Sequence, residues 1–230
     1  MKEYKEKFKI SSLQSFIFTK EVQMIYELSN PLTKSLITQL RNEKSAAVLF
    51  RHTIAELTKQ LLYEALKDFP LSEKKMMTWR GEESFVALDE ANIFVVTVLR
   101  AGMPMLDSVM QTLPNATAGF LAMQRDEVTH KSKLYYDRVP DCRGKTILLV
   151  DPMVATGGSL LDAIELLKRK EPLRIITLNI IGSPEGLERI NAAYPDVDIY
   201  ISQIDEGLNA EKYIIPGLGD AGDRAYNTLS

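Results

Sequence analysis

Cysteine is all but missing from this chain: Cys142 is the single example in 230 residues. One thiol excludes an intrachain disulfide framework and predicts a reducing compartment. Histidine is nearly as scarce, and His52 and His130 stand far apart, so no histidine-pair metal site is written locally. No excess of positive charge is present either. The formal net charge of −3 argues against a nucleic-acid protein held by general electrostatics. Long apolar runs are lacking, the longest clean one being a strand-length piece around Ile93–Leu99, too short to span a bilayer. The N-terminal MKEYKEKFK mixes acids with bases and leads only to Phe16-Ile17-Phe18, shorter than the apolar region of a secretory signal. There is no internal repeat and no low-complexity tract. What remains is an ordinary apolar fraction in a length that suits one large domain or a core with a smaller attachment. The expectation is a soluble, cytoplasmic protein that binds neither membrane nor nucleic acid.

The hydrophobic pattern then gives an order of elements. Pro31 opens a helix carrying Leu32, Leu36, Ile37 and Leu40 at helical spacing. A longer helix is expected over about Glu43–Asp68, with Val48, Ile54, Leu57, Leu61 and Ala65 as its buried stripe and Pro70 marking its end. Met76–Leu88 holds a Gly-centred turn between short apolar pieces and reads as a β-hairpin arm. From there strands and helices alternate. Strands are expected at Ile93–Leu99, Ala116–Met123, Lys145–Asp151, Arg174–Ile181 and Val197–Ile201. Helices are expected at about Met103–Thr112, Gly157–Lys170 and Pro184–Ala193. Leu134–Val139 is a short extended arm with Tyr135 and Tyr136 adjacent. Lys168, Arg169 and Lys170 suit the negative end of a helix dipole. Near-continuous Val/Ile/Leu strands in this alternation imply a mostly parallel sheet covered on both faces, an α/β fold. Ligands in such sheets bind at the carboxyl ends of strands, and four of those ends carry polar or glycine-bearing segments: RAGM, QRDE, DPMVATGGS and GSPEG.

The segment 151–159, DPMVATGGS, follows the apolar run Thr146–Val150. Thr156, Gly157, Gly158 and Ser159 offer hydroxyls and unobstructed backbone N–H groups at the start of a helix, where an anion gains from unpaired donors and the dipole. The loop is not a Walker A motif, since no lysine follows the glycines, and it lacks the G-x-G-x-x-G spacing. A carboxylate beside a phosphate cradle repels phosphate, so Asp151 needs another task. Accepting hydrogen bonds from sugar hydroxyls, directly or through a metal-bound water, would reconcile the two and points to a sugar phosphate. A plain helix-opening turn with Asp151 as a cap is the competing reading.

A hydrophobic strand, an acid and then ATGG[ST] resembles the phosphoribosyl-diphosphate (PRPP) loop of type I phosphoribosyltransferases, and the Asp-Pro-Met form looks like the uracil phosphoribosyltransferase branch. Residues 213–224, YIIPGLGDAGDR, form a glycine-rich segment without apolar periodicity, a backbone free to approach a ligand. As a string, PGLGDAGDR closely resembles that family's uracil-binding segment. The similarity runs through LRAGM (99–103), YYDRVP (135–140), PEGLERI (184–190) and PDVDIY (195–200), covering about Asn30 to Thr228.

The resemblance implies a type I phosphoribosyltransferase fold in a single domain over 1–230. It would have N-terminal helices and a β-arm at about 30–90, a PRPP-binding core at 91–201 and a uracil-binding hood at 202–230. It implies pyrimidine salvage: uracil and PRPP give UMP and diphosphate, with Mg²⁺ as cofactor, carried by PRPP rather than held directly by the protein. Arg100, Arg125, Asp151, Pro152, Met153, Val154, Ala155, Thr156, Gly157, Gly158, Ser159 and Asp220 match the PRPP site. Thr156–Ser159 would hold the 5-phosphate, Asp151 the ribose hydroxyls, and the two arginines the diphosphate, to which guanidinium groups donate paired hydrogen bonds. Ile214, Gly219, Asp220 and Ala221 match the uracil contacts, and Asp220 is also linked to PRPP and the metal. Asp220 and Arg125 are the catalytic candidates, whereas Asp223 and Arg224 would hold the loop's shape. A homodimer or larger homo-oligomer, with GTP as an allosteric effector, is the family's habit. Tyr135 and Tyr136 belong either to an arm closing over PRPP or to opposite faces of an edge strand.

The chain departs from the family at several points. RAGLGM is Arg100-Ala101-Gly102-Met103-Pro104-Met105, and Pro104 would remove an N–H contact unless it occupies a first helical turn. Gln124 replaces a tyrosine, Gly207 an arginine, and EKSAAVLF (43–50) lacks the usual polar and Gly/Thr pattern. Three other readings stay open: a PRPP-fold regulator of uridine nucleotides and RNA, an enzyme for another base, and a silent subunit. Orotate is disfavoured because PGLGDAG supplies no basic residue for an anionic base.

Overall fold

The computed structural model describes residues 25–125 and 132–228, with side chains for all but 124, 125, 132 and 133. MKEYKEKFK, Phe16–Phe18, His130 and the Asp126-Glu127 half of QRDE lie outside the described residues.

In chain order the elements are β1 (Ile25–Glu27), α1 (Pro31–Arg41), α2 (Ala47–Leu66), β2 (Leu71–Thr78), β3 (Gly81–Leu88), β4 (Ile93–Leu99), α3 (Met103–Thr112), β5 (Thr117–Arg125) and β6 (Ser132–Arg138). There follow β7 (Thr146–Val150), β8 (Met153–Val154), α4 (Gly158–Lys168), β9 (Arg174–Gly182), α5 (Pro184–Ala193), β10 (Asp198–Ile204), β11 (Gly207–Leu208), β12 (Ile214–Ile215) and α6 (Ala221–Tyr226). The main sheet runs β1-β10-β9-β7-β4-β5-β6, with β8 added to β9. Every pairing in it is parallel except β5 with β6. The expected mostly parallel sheet with helices on both faces is therefore what the chain forms.

The pleat explains how one apolar run feeds two cores. On β4, Ile93 and Val95 face one layer while Phe94, Val96 and Val98 face the other; on β7, Leu148 and Val150 oppose Ile147 and Leu149. The first layer is filled by α1, α2, α3 and α6, through residues such as Leu40, Phe50, Leu61, Met105 and Ala225. The second is filled by α4 and α5, through Leu160, Ile164, Leu187 and Ile190. From β4 the chain places β5 on one side and β7, β9 and β10 on the other. The strand order thus reverses between β4 and β7, and a crevice opens there at the strands' carboxyl ends.

Three expectations need correction. The long helix starts at Ala47 rather than Glu43, and its stripe is Ala47, Phe50, Ile54, Leu57, Leu61 and Ala65. Val48 lies off that series and is 70% exposed, because two residues along a helix swing a side chain to another face. The hairpin arm begins at Leu71, five residues earlier than its apolar pattern suggests, with Thr78 paired to Gly81 beside the turn. Cross-strand bonding extends it past the apolar stretch: Leu71 pairs with Leu88 and Lys74 with Phe85. The helix α4 runs Gly158–Lys168, so Arg169 and Lys170 follow it. The three basic residues also find specific partners: Lys168 with Asp196, Arg169 with Glu165, and Lys170 with Asp137 and the Val139 carbonyl.

Candidate functional site

Two loops define the crevice, one after β4 and one after β7. In the first, Gly102 is squeezed against the sheet: a Cβ there would sit 2.2 Å from Thr97 Oγ1 and 2.7 Å from the Val150 carbonyl. Only glycine lets Arg100-Ala101 lie this close to the end of β7. The α3 helix starts at Met103, with Pro104 in its first turn, where an N–H has no intrahelical partner in any case. The departure at 104 therefore removes nothing from the helix.

The loop after β7 is bound from behind. Val154 O accepts from Ser183 N (2.9 Å), Ala155 O from Ser183 Oγ (2.7 Å) and Thr156 O from Arg189 Nη1 (3.0 Å). Its acceptors thus face the protein, and an anion approaching the start of α4 meets donors instead. Gly157 takes a left-handed conformation (φ 72°) ahead of α4, and Gly186 of α5 presses against it. A Cβ on Gly186 would stand 2.1 Å from Ala155 O. Val154 is buried in the second core layer, so only its backbone is open to a ligand role. Pro152 is buried as well, and its carbonyl accepts from Ile180 N and Ile181 N. Met153, Ala155, Thr156, Gly158 and Ser159 are half-buried.

Asp151 is buried at the head of this loop, above a polar chain: Asn179 Nδ2 donates to the Asp151 carbonyl (2.7 Å), and Thr177 Oγ1 donates to Asn179 Oδ1 (2.9 Å). Burial pushes its carboxyl up to about 7, against a backbone hydrogen bond from Met153 that pulls the other way. A carboxylate that is costly to ionise without a partner is suited to accept hydroxyl donors.

The C-terminal segment closes onto the first loop. Asp220 caps α6, accepting from Asp223 N at 2.9 Å, and its side chain is exposed with that of Arg100 nearby. Arg100 Nη2 meets Asp223 Oδ1 at 3.0 Å, and Thr228 Oγ1 donates to the same oxygen at 2.6 Å. Thr228's hydroxyl and then the guanidinium hold the Asp223 carboxyl below its ordinary value. This surface ion pair joins the first loop to the C-terminal segment. Gly219 is exposed at φ 77°, whereas Ile214 and Ala221 are buried in the first core layer. Arg125 ends β5, next to β4 in the sheet. Among the described residues no three His, Cys, Asp or Glu side chains gather as a metal-binding group.

The family model described as "Uracil phosphoribosyltransferase" matches residues 27–228. The chain belongs to the uracil phosphoribosyltransferase family. A uracil phosphoribosyltransferase of Aquifex aeolicus (strain VF5) is 44% identical over 203 residues, 88% of this chain and 98% of the relative. One from Campylobacter fetus subsp. fetus is 42% identical over 209 residues, 90% of this chain and all of its own length. The solved structure of the AQ2163 protein from Aquifex aeolicus, 44% identical, superposes with a TM-score of 0.86 over 88% of this chain and 98% of its own. Family membership marks the chain as a pentosyltransferase.

Sequence patterns marked the segments GSPEG and PEGLERI but not the supporting role of their residues behind the uracil phosphoribosyltransferase loops. Ser183 and Gly186 carried a readable sign, Ser-Pro opening a helix. Arg189 was marked only as part of PEGLERI, and Arg41 and Asp205, which bind each other across 164 residues, carried no sign. Arg224 does more than shape its own loop: it donates to Leu218 O and also to Leu40 O and Asn42 O at the end of α1. Gly207 pairs with Ile215 in a two-stranded ribbon, and a Cβ there would stand 3.1 Å from Glu185 Oε1. Tyr135 and Tyr136 are exposed on β6, the edge strand. Among the described residues no helix is long and apolar enough to cross a membrane.

Proposed function

We propose that this protein transfers the phosphoribosyl group of PRPP to N1 of uracil, releasing diphosphate and forming UMP in pyrimidine salvage. The observation that carries the reading is the meeting of three motif-bearing segments, 99–103, 151–159 and 219–223, around the switch between β4 and β7. Thr156–Ser159 hold the 5-phosphate at the start of α4, backed by Pro152–Ala155, of which the Pro152, Val154 and Ala155 carbonyls bond to β9 and Ser183 behind the loop. Asp151 accepts the ribose hydroxyls, whose donors offset the cost of ionising a buried carboxyl. Arg100 and Arg125 take up the negative charge that grows on the departing diphosphate, so the glycosidic carbon can pass through an oxocarbenium-like state. Ile214, Gly219, Asp220 and Ala221 form the base pocket. Uracil is small, planar and neutral, and peptide groups can match its carbonyls and N–H groups; a mismatched base leaves buried groups unpaired.

Mg²⁺ comes as part of the substrate, neutralising the diphosphate. Asp220, an exposed carboxylate, fits a role beside it, and such a metal needs no protein cage. The same reading divides the chain into helices and arm (30–90), PRPP core (91–201) and hood (202–230). It includes a homodimer or larger assembly and GTP as an effector, which family habit supports, and a cytoplasmic location, which the single cysteine supports.

Chromatography of reactions holding Mg²⁺, PRPP and either uracil, cytosine or orotate tests the proposal. UMP from uracil, with little product from the other bases, is expected. Folded protein that makes no UMP at saturating substrates overturns it.

A further inference from the structure

One turn of the C-terminal segment is gripped on both sides of a single residue, through the N–H of one peptide group and the carbonyl of the next. Asp205, just past β10, has a side chain only 1% exposed and meets Arg41, the last residue of α1. Arg41 Nη2 donates to Asp205 Oδ1 at 2.6 Å and Nη1 to Oδ2 at 3.0 Å. Gly217 lies against this pair. Its N–H donates to Asp205 Oδ2 at 2.9 Å, and its carbonyl accepts from Arg41 Nη1 at 2.6 Å. Asp205 is itself tied to the sheet, its N–H donating to Gly182 O at 2.8 Å. Glycine is required at 217, where φ is 63° and a Cβ would stand 2.2 Å from Ile214 O.

We propose that Arg41 and Asp205 are positioning residues for base recognition: they set where the peptide groups of Gly219–Ala221 stand, and so govern affinity for a small neutral pyrimidine without touching it. The proposal rests on the reading that this loop meets the base. A buried ion pair contributes little net stability compared with apolar side chains of the same size, so stability alone does not account for it. What it supplies is direction. A two-pronged guanidinium–carboxylate pair has one geometry, and here each member adds a bond to the same glycine. A pocket built from peptide groups has no side-chain rotamers with which to adjust, so its selectivity depends on backbone position to within about half an ångström. The turn begins two residues before Gly219, and Arg224 holds the intervening Leu218 carbonyl at 2.6 Å. Displacement at 217 therefore passes directly into the base-binding residues. The PRPP loop is held by other bonds, from Ser183 and Arg189 on α5 and its cap.

The test compares wild-type protein with Asp205→Asn, Arg41→Lys and the double variant Arg41→Met/Asp205→Leu. Uracil KM, PRPP KM, kcat and melting temperature are measured for each. Uracil KM is expected to rise about tenfold or more in all three, the scale of a small misplacement in a site. PRPP KM should rise much less than uracil KM, because of the displaced residues only Asp220 also stands beside PRPP. The double variant, free of an unpaired buried charge, should recover most of the melting temperature lost in Asp205→Asn while keeping the raised uracil KM. A folded Asp205→Asn protein with wild-type uracil KM, or parallel rises in both KM values, overturns the proposal. So does a double variant that regains uracil affinity along with stability. Wild-type protein that makes no UMP refutes the functional reading instead, before any variant is compared.

Discussion

Replacing Asp151 by Asn should stabilise the ligand-free protein, and increasingly so as the pH rises. Burial lifts the Asp151 carboxyl from 3.8 to about 7. That shift of about three units corresponds to about 4 kcal/mol of preference for the neutral form in the folded protein. In the unfolded chain the group loses its proton near pH 4, whereas the folded chain keeps it to about pH 7. Between those values the unfolded state binds fewer protons, so stability falls as pH rises, and the loss levels off above the folded value. From pH 5 to pH 8 the penalty grows by about 2–3 kcal/mol. For a chain of this size it corresponds to roughly 5–10 °C in melting temperature. Asn keeps the shape and can still accept the Met153 N–H, but it does not titrate. Melting curves of both proteins at pH 5, 6, 7 and 8 should diverge, the variant gaining on the wild type at each step. Parallel pH profiles would refute the reasoning, because the carboxyl would then be ionised at no cost. The same substitution should raise PRPP KM, since an amide accepts hydroxyl donors more weakly than a carboxylate.

Gly186→Ala forces Ala155 O aside, costing about 1–3 kcal/mol as overpacking; PRPP KM should rise in steady-state assays while uracil KM changes little. Ser183→Ala removes both the Ala155 bond and the N-cap of α5, with an expected loss of about 1 kcal/mol in urea denaturation and weaker PRPP use. Phe50→Leu takes away the ring 4.4 Å from the Arg224 guanidinium; urea denaturation should register about 2 kcal/mol or more of lost stability. Val48→Ala, on the exposed side of the same helix, should stay within about 0.5 kcal/mol. Pro104→Ala should leave PRPP kinetics unchanged, because the position has no N–H bond to regain within α3.

Much of the fold can be read in the residues because local signals agree with it. The Val/Ile/Leu run at 93–99 is apolar on both faces and becomes an internal strand; Pro31 and Pro184 open helices at their first turns. The family motifs at 99–103, 151–159 and 216–224 were legible as strings, and the fold brings the first and last into contact. Helix register was less so: Val48 is as apolar as Phe50, and only packing against the sheet chooses between them. The arm's extent depends on cross-strand pairing of Ser72, Glu73 and Lys74, residues with no apolar signal. Asp151's burial was hidden as well, because its neighbours Thr177 and Asn179 lie on another strand. The Arg41–Asp205 contact joins a helix end to a strand end across most of the chain, and no periodicity encodes it.

The two layers of the central sheet share the support of the proposed site. Ile214, Leu218, Ala221 and Ala225 root the C-terminal segment in the layer of α1, α2 and α3. Val154, Leu160, Leu187 and Ile190 root the loop after β7 in the layer of α4 and α5. Met153 and Ala155 of that same loop, and Ala101 and Met103 of the loop after β4, also pack against the first layer. A volume change among α1, α2 and α3 is therefore felt by all three segments of the proposed site at once.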